Sequence, residues 1–236
     1  AFSGVWIHRS ATGAARPVVT LKSDMPIYLG DNAIVEGLSF AYDGVARYSI
    51  LTIDNNRANV TVADCQWNEC VSFMEIASDR YPRGLLLLRL AQQARAERYG
   101  LFINAVTCLD VLGCDFTGGS QSEHTIRIVG NSPYVSIEAS ILDYQGGPGR
   151  NKTSLRAHTR HLGVYRSILA RGTVGLGNID FDTTSYRDYC FDGCVIRFDS
   201  SPPSIIQAIT IFENAGRIVF RTSLIEKDME VQSGLI

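Results

Sequence analysis

A short apolar pattern returns about every 26 residues along this chain, and it limits the folds available more than any other feature does. Seven six-residue segments share it: 35–40, 62–67, 111–116, 137–142, 164–169, 191–196 and 219–224. Their first residues are 27, 49, 26, 27, 27 and 28 apart, and an eighth copy, 85–90, falls inside the long step. The first position is always Val, Ile, Leu or Phe. The sixth is a large apolar residue: Phe40, Trp67, Leu90, Phe116, Leu142, Leu169, Ile196 and Leu224. The fourth holds Leu38, Cys65, Leu88, Cys114, Ser140, Ser167, Cys194 and Thr222.

A second β-rich segment precedes most copies, as at 48–53, 71–76, 101–103, 124–128, 153–156 and 208–212. Turn formers such as Asp54-Asn55-Asn56 and Ser201-Pro202-Pro203 separate the segments. A unit of two or three short strands cannot bury its apolar side alone. Stacked about 4.8 Å apart, such units align equivalent residues into ladders around one continuous core. A propeller blade needs about 40 residues, and a leucine-rich repeat carries its own Leu/Asn signature. The pattern therefore predicts an all-β chain: a single-stranded right-handed parallel β-helix (a β-solenoid) of about eight or more coils, forming one domain over 1–236. Both ends read as cut within the solenoid, so the expectation is either a fragment of a longer chain or end caps of an unfamiliar kind. Only 85–99 has helix-forming composition, and its second half is expected to be a loop.

The six cysteines fall in three close pairs, Cys65/Cys70, Cys108/Cys114 and Cys190/Cys194, without C-x-x-C spacing or zinc-finger histidines. No metal site is expected on them. Cys65, Cys114 and Cys194 share the fourth position with Ser and Thr, which marks them as small inward-facing residues. A net charge of -2 argues against a nucleic-acid partner, and no apolar run approaches a membrane span. The chain opens without the basic and apolar regions of a signal peptide. An extracellular or periplasmic location is expected from the fold alone.

One region carries more charge chemistry than the repeat requires. Glu123, His124 and Arg127 lie in one segment, and Arg150, Lys152, Arg156, His158, Arg160 and His161 in the next. Three of the four histidines fall here. Arg127 follows Ile126 as Arg156 follows Leu155, so the two arginines should be ladder neighbours, with Glu123 or an acidic ligand between them. Removing the proton alpha to a uronic-acid carboxylate requires cations to neutralise the carboxylate, a base, and an acid for the departing oxygen. Lys152, Arg156, His158 and Arg127 are the candidate catalytic residues; Glu123, His124, Arg150, Arg160 and His161 are the candidate substrate contacts. As residues of a solvated outer face they should contribute little to stability. The glycine-rich stretch 172–177 lacks a following helix and reads as a turn. Asp180, Asp182 and Asp188 could bind a cation, but Asp is common in turns without one.

The segment 153–158 (Thr-Ser-Leu-Arg-Ala-His), with 160–168 after it and 123–127 before it, resembles the Arg-bearing coil of alginate lyase and chondroitinase B-type polysaccharide lyases. These belong to the pectate lyase-like superfamily of right-handed β-helices. The resemblance implies an acidic polysaccharide partner, Arg156 as the acid, a Lys base and calcium as an occasional cofactor. The family's Lys has no match in the preceding strand, where Arg127 and Ile128 stand, and an arginine is too basic to be a general base. Its Asn-Gly-x-Glu calcium motif is not evident. Two functions follow: a lyase that binds and cleaves an acidic polysaccharide by β-elimination, which is preferred, and a non-catalytic glycan-binding or structural module. A module of the phage tailspike kind would trimerise; an adhesin or surface-protein segment is the other form.

Overall fold

The computed structural model describes residues 6–8, 15–21, 25–42, 49–53, 59–68, 70–76, 82–94, 96–104, 106–118, 123–145, 153–177, 187–197, 209–211, 216–226 and 229–231. Every regular element among them is a β-strand, and every strand pair is parallel. The strands stack on three faces of a β-solenoid. Successive strands of the second face, from Val18–Leu21 to Leu224–Ile225, are three elements apart in the chain, or two where one long strand serves both other faces, and nine stack there in one sheet. The first face runs from Trp6–His8 to Arg217–Arg221 and the third from Ile27–Leu29 to Met229–Val231. Two long strands, His124–Glu138 and Thr153–Tyr165, cross the corner from third face to first without a break.

The repeat is the first face, its corner and the second face. Val35, Val62, Leu87, Val111, Ile137, Val164, Phe191 and Phe220 form one inward ladder. Six of these are the expected first positions. The other two copies shift: the copy read at Leu85 is centred on Leu87, and the one read at Val219 on Phe220. Runs of adjacent apolar residues at 85–88 and 218–220 hide the register from an alternation test, because every frame looks apolar. In the corrected register Gln92 takes the sixth position beside Trp67, and Leu90 and Ser223 replace Leu88 and Thr222 at the fourth. The composition of 85–99 does not produce a helix. It forms strands Gly84–Leu88, Ala91–Gln92 and Ala96–Ile103, because ladder pairing on both sides outweighs local propensity. The expected turn at 172–177 likewise contains a strand, Thr173–Leu176.

The third position has a physical identity that the alphabet of residues there conceals. Gly37, Asp64, Arg89, Gly113, Ala139, Arg166, Gly193 and Thr222 all have positive φ, between 47° and 71°. This left-handed residue turns the chain from first to second face, and in the seven before Thr222 its N–H donates to a carbonyl of the next turn: Gly113 to Glu138 at 2.9 Å, Arg166 to Asp192 at 2.8 Å. The fourth position then satisfies the corner. Ser140 and Ser167 donate to the carbonyls of Glu138 and Tyr165, and their Oγ atoms accept from the N–H groups of Cys114 and Ser140, each at 3.1 Å. Cys65, Cys114 and Cys194 take the same place; all six cysteines are free thiols. Burial pushes the Cys65 and Cys114 thiols up to about 11, which makes them poor nucleophiles.

The sixth position fills the interior. Trp67 is fully buried and stacks on Phe73 with ring centres 3.9 Å apart, and the tilted ring of Phe116 lies 5.6 Å from it. Leu142 is fully buried between Phe116 and Leu169 in the same ladder. Leu142→Ala is expected to cost about 2–5 kcal/mol in denaturant unfolding. Gly113→Val should cost about 1–2 kcal/mol or more, because it forces a β-branched side chain into the left-handed corner. A neutral Gly113→Val would contradict the corner's role.

Candidate functional site

The third face brings four of the expected residues together. Its strands put Phe102, Arg127, Arg156 and Gly175 in one ladder, so the two arginines are register partners on adjacent turns. A parallel neighbour lies about 4.8 Å away, close enough for guanidinium groups to repel. Tyr99, His124, Thr153 and Thr173 form the ladder beside it. Glu123 is linked to Arg127 through Tyr99. Arg127 Nη1 donates to Tyr99 Oη at 3.2 Å, and Tyr99 donates on to Glu123 Oε2 at 3.1 Å. Arg127 also lies 5.2 Å from the Phe102 ring centre.

His158, two residues after Arg156, is turned to meet it: Arg156 Nε donates to His158 Nε2 at 2.8 Å. That bond holds the imidazole neutral with its proton on Nδ1. Burial, then the guanidiniums of Arg156, Arg127 and Arg187, push His158 down to about 3. His124 is pushed down to about 3 by burial and by Arg127, Arg156 and His158 in turn, and its Nδ1 lies 3.0 Å from Thr153 Oγ1.

The cluster is not a solvated outer face, which corrects the sequence-based expectation. Arg156 is 9% exposed, His158 7% and His124 5%. Removing Arg156 therefore takes a charged hydrogen bond from a buried imidazole, and Arg156→Ala should cost about 1.5–3 kcal/mol.

The other candidates lie elsewhere. Arg160 is exposed at the corner, and His161 is exposed on the first face, stacked on Tyr134 with ring centres 5.2 Å apart. Arg150, Lys152, Asp180 and Asp182 lie outside the described residues. Asp188 is tied to Arg217 by two hydrogen bonds, at 2.8 and 3.0 Å. Among the described residues no group of three or more His, Cys, Asp or Glu side chains is placed to hold a metal ion.

Arg187 belongs to the cluster and was missed in the sequence. It is 5% exposed, its Nε has no hydrogen-bond partner, and it interacts with the Tyr189 hydroxyl. Nothing in its local pattern distinguishes it from a surface residue ahead of the strand Asp188–Asp192. Tyr134 was also missed, although it stands three residues before a first-position residue just as His161 does; that shared offset was a usable signal. The fold and this basic cluster define a parallel β-solenoid protein with a buried cationic centre on its third face. Comparison with protein-family models, curated proteins and solved structures finds no match for the chain.

The two histidines set a pH dependence. Their folded values lie below the ordinary 6.5, so the unfolded chain takes up protons that the folded chain refuses. Their contribution is intact above pH 6.5 and is lost as pH falls toward 3. Between pH 7 and 5 the melting temperature should drop, and His158→Gln, whose amide oxygen can still accept from Arg156, should flatten the drop. Equal slopes for the two proteins would contradict the buried neutral imidazole.

Proposed function

We propose that this protein binds an acidic polysaccharide at the third-face cluster and cleaves it by β-elimination. The in-register pair of Arg127 and Arg156 carries this reading. Two guanidiniums on neighbouring rungs repel each other unless an anion lies between them, and a uronate carboxylate has the charge and planar shape to take one from each. Arg187 adds a third cation near the same place, with an Nε that lacks a partner. Bound there, the carboxylate loses its repulsion toward a carbanion, which lowers the barrier to removing the adjacent proton. The electron pair of the C5–H bond becomes the C4=C5 double bond, the C4–O bond breaks with its pair on the glycosidic oxygen, and that oxygen takes up a proton from water. His124, neutral at pH 7, is the candidate to accept the proton from C5, and His158 could do so only by giving up its bond from Arg156.

The hydrogen bond from Arg156 to His158 Nε2 favours a second reading. It engages the lone pair that a base would use, so His158 orients Arg156 and the module binds without cleaving. Incubation with alginate, polygalacturonate, chondroitin and glucuronan, with and without calcium, separates the two. The lyase produces rising ultraviolet absorbance from the unsaturated product, and Arg127→Gln abolishes it. Binding without any absorbance change supports the second reading; no binding to any of the four polymers overturns both.

A further inference from the structure

The first face carries an aromatic group that neither the core nor the basic cluster uses. Tyr134 is 59% exposed, a large apolar ring left in solvent on an otherwise well-paired sheet. Its ring is within 9° of parallel to that of His161 on the next turn. Before Tyr134 in the same outward ladder come Cys108 and Gly84, two small residues. The ring face not covered by His161 therefore looks over a low stretch of the sheet. Tyr165, also outward, lies across Gly163: a Cβ on that glycine would come within 2.4 Å of the Tyr165 hydroxyl and 2.5 Å of its ring. Gly163 thus lets Tyr165 lie down on the face beside His161.

The charges around this shelf suit a hydroxyl-rich ligand. Glu138 is paired with Arg166, and Asp188 with Arg217. Asp192 accepts from the Thr222 hydroxyl at 2.7 Å. Asp110 and Ser136 are ladder neighbours in the next outward column, offering an acceptor and a hydroxyl within reach of ring substituents. Arg160 stands exposed at the corner between the shelf and the basic cluster. The strands His124–Glu138 and Thr153–Tyr165 each run unbroken from Arg127 or Arg156 to this shelf. From Arg156 to His161 is five residues of strand, on the order of 16 Å at 3.3 Å per residue, and less around a corner. That is the length of a few sugar units.

We infer that Tyr134, with His161 and Tyr165 beside it, is a second saccharide subsite, which takes a pyranose ring by its C–H face while the acidic end of the same chain lies at the arginines. The inference rests on the reading of the basic cluster as an acidic-saccharide site. It has the polysaccharide run across the coils and around the corner. Aromatic contacts of this size are worth about 0.5–1.5 kcal/mol, or roughly two- to tenfold in affinity.

The test is calorimetric titration of the whole chain with galacturonate and mannuronate oligomers of two and of six residues. For at least one series the wild type should bind the hexamer more tightly than the dimer. Tyr134→Ala should remove roughly two- to tenfold of hexamer affinity and leave dimer affinity unchanged, while Tyr134→Phe, which keeps the ring, should match the wild type. Tyr134 is mostly exposed, so its loss does not open the core. Hexamer affinity unchanged in Tyr134→Ala, with both lengths still bound, overturns the shelf alone. A wild type that binds neither length of either series overturns the reading of the basic cluster and the shelf with it.

Discussion

Among the described residues, eight turns pass from first to second face through one left-handed residue, and in seven of them its N–H reaches a carbonyl on the next turn. The rest of the structure depends on that corner. It fixes which residues become first and sixth positions, and so which side chains enter the core. It also explains why the fourth position is drawn from Ser, Cys and Leu. Where that residue carries a hydroxyl or thiol, it returns a hydrogen bond to the backbone that the bend would leave short, in a place too confined for a longer polar side chain. Eight corners share this conformation although only three of their residues are glycine. The ladder of backbone bonds offsets a cost that five non-glycine residues pay individually.

The corner shows why the fold was legible and the register only partly so. Alternation and spacing were enough to place Val35, Val62, Val111, Ile137, Val164 and Phe191 on one ladder. They failed at 85–88 and 218–220, where consecutive apolar residues satisfy several frames. There Arg89 and Thr222 hold the left-handed corner, a role that residue type does not announce. The site shows a similar division. Arg127 and Arg156 could be paired from their shared place after Ile126 and Leu155, since ladder position is a property of the repeat. Burial of the same cluster could not be read, because it depends on what covers an outer face and no period encodes that. Arg187 and the Tyr99 relay to Glu123 join residues across turns through side-chain reach, which is likewise silent in the sequence.

The basic cluster is costly as it stands. Three guanidiniums surround an imidazole that burial and charge keep neutral, and two of them, Arg127 and Arg187, have a buried Nε without a hydrogen-bond partner. Regular stacking of the repeat requires none of this. An anionic ligand would compensate the repulsion and fill the vacant hydrogen-bonding capacity, giving the cluster a reason that the fold does not supply. The neutral histidines are then suited to orient an arginine or accept a proton rather than to add charge. The exposed ring of Tyr134, on strands continuous with the arginines, extends the same surface around the corner.

A double-mutant cycle on ligand binding tests most directly whether the two in-register arginines act on one anion. Dissociation constants for an oligogalacturonate or oligomannuronate would be measured for the wild type, Arg127→Gln, Arg156→Gln and the double variant. If both guanidiniums grip the same carboxylate, the losses will be strongly non-additive, with a coupling of at least about 0.5–3 kcal/mol. Additive losses, or variants that bind as well as the wild type, would contradict the shared anion site.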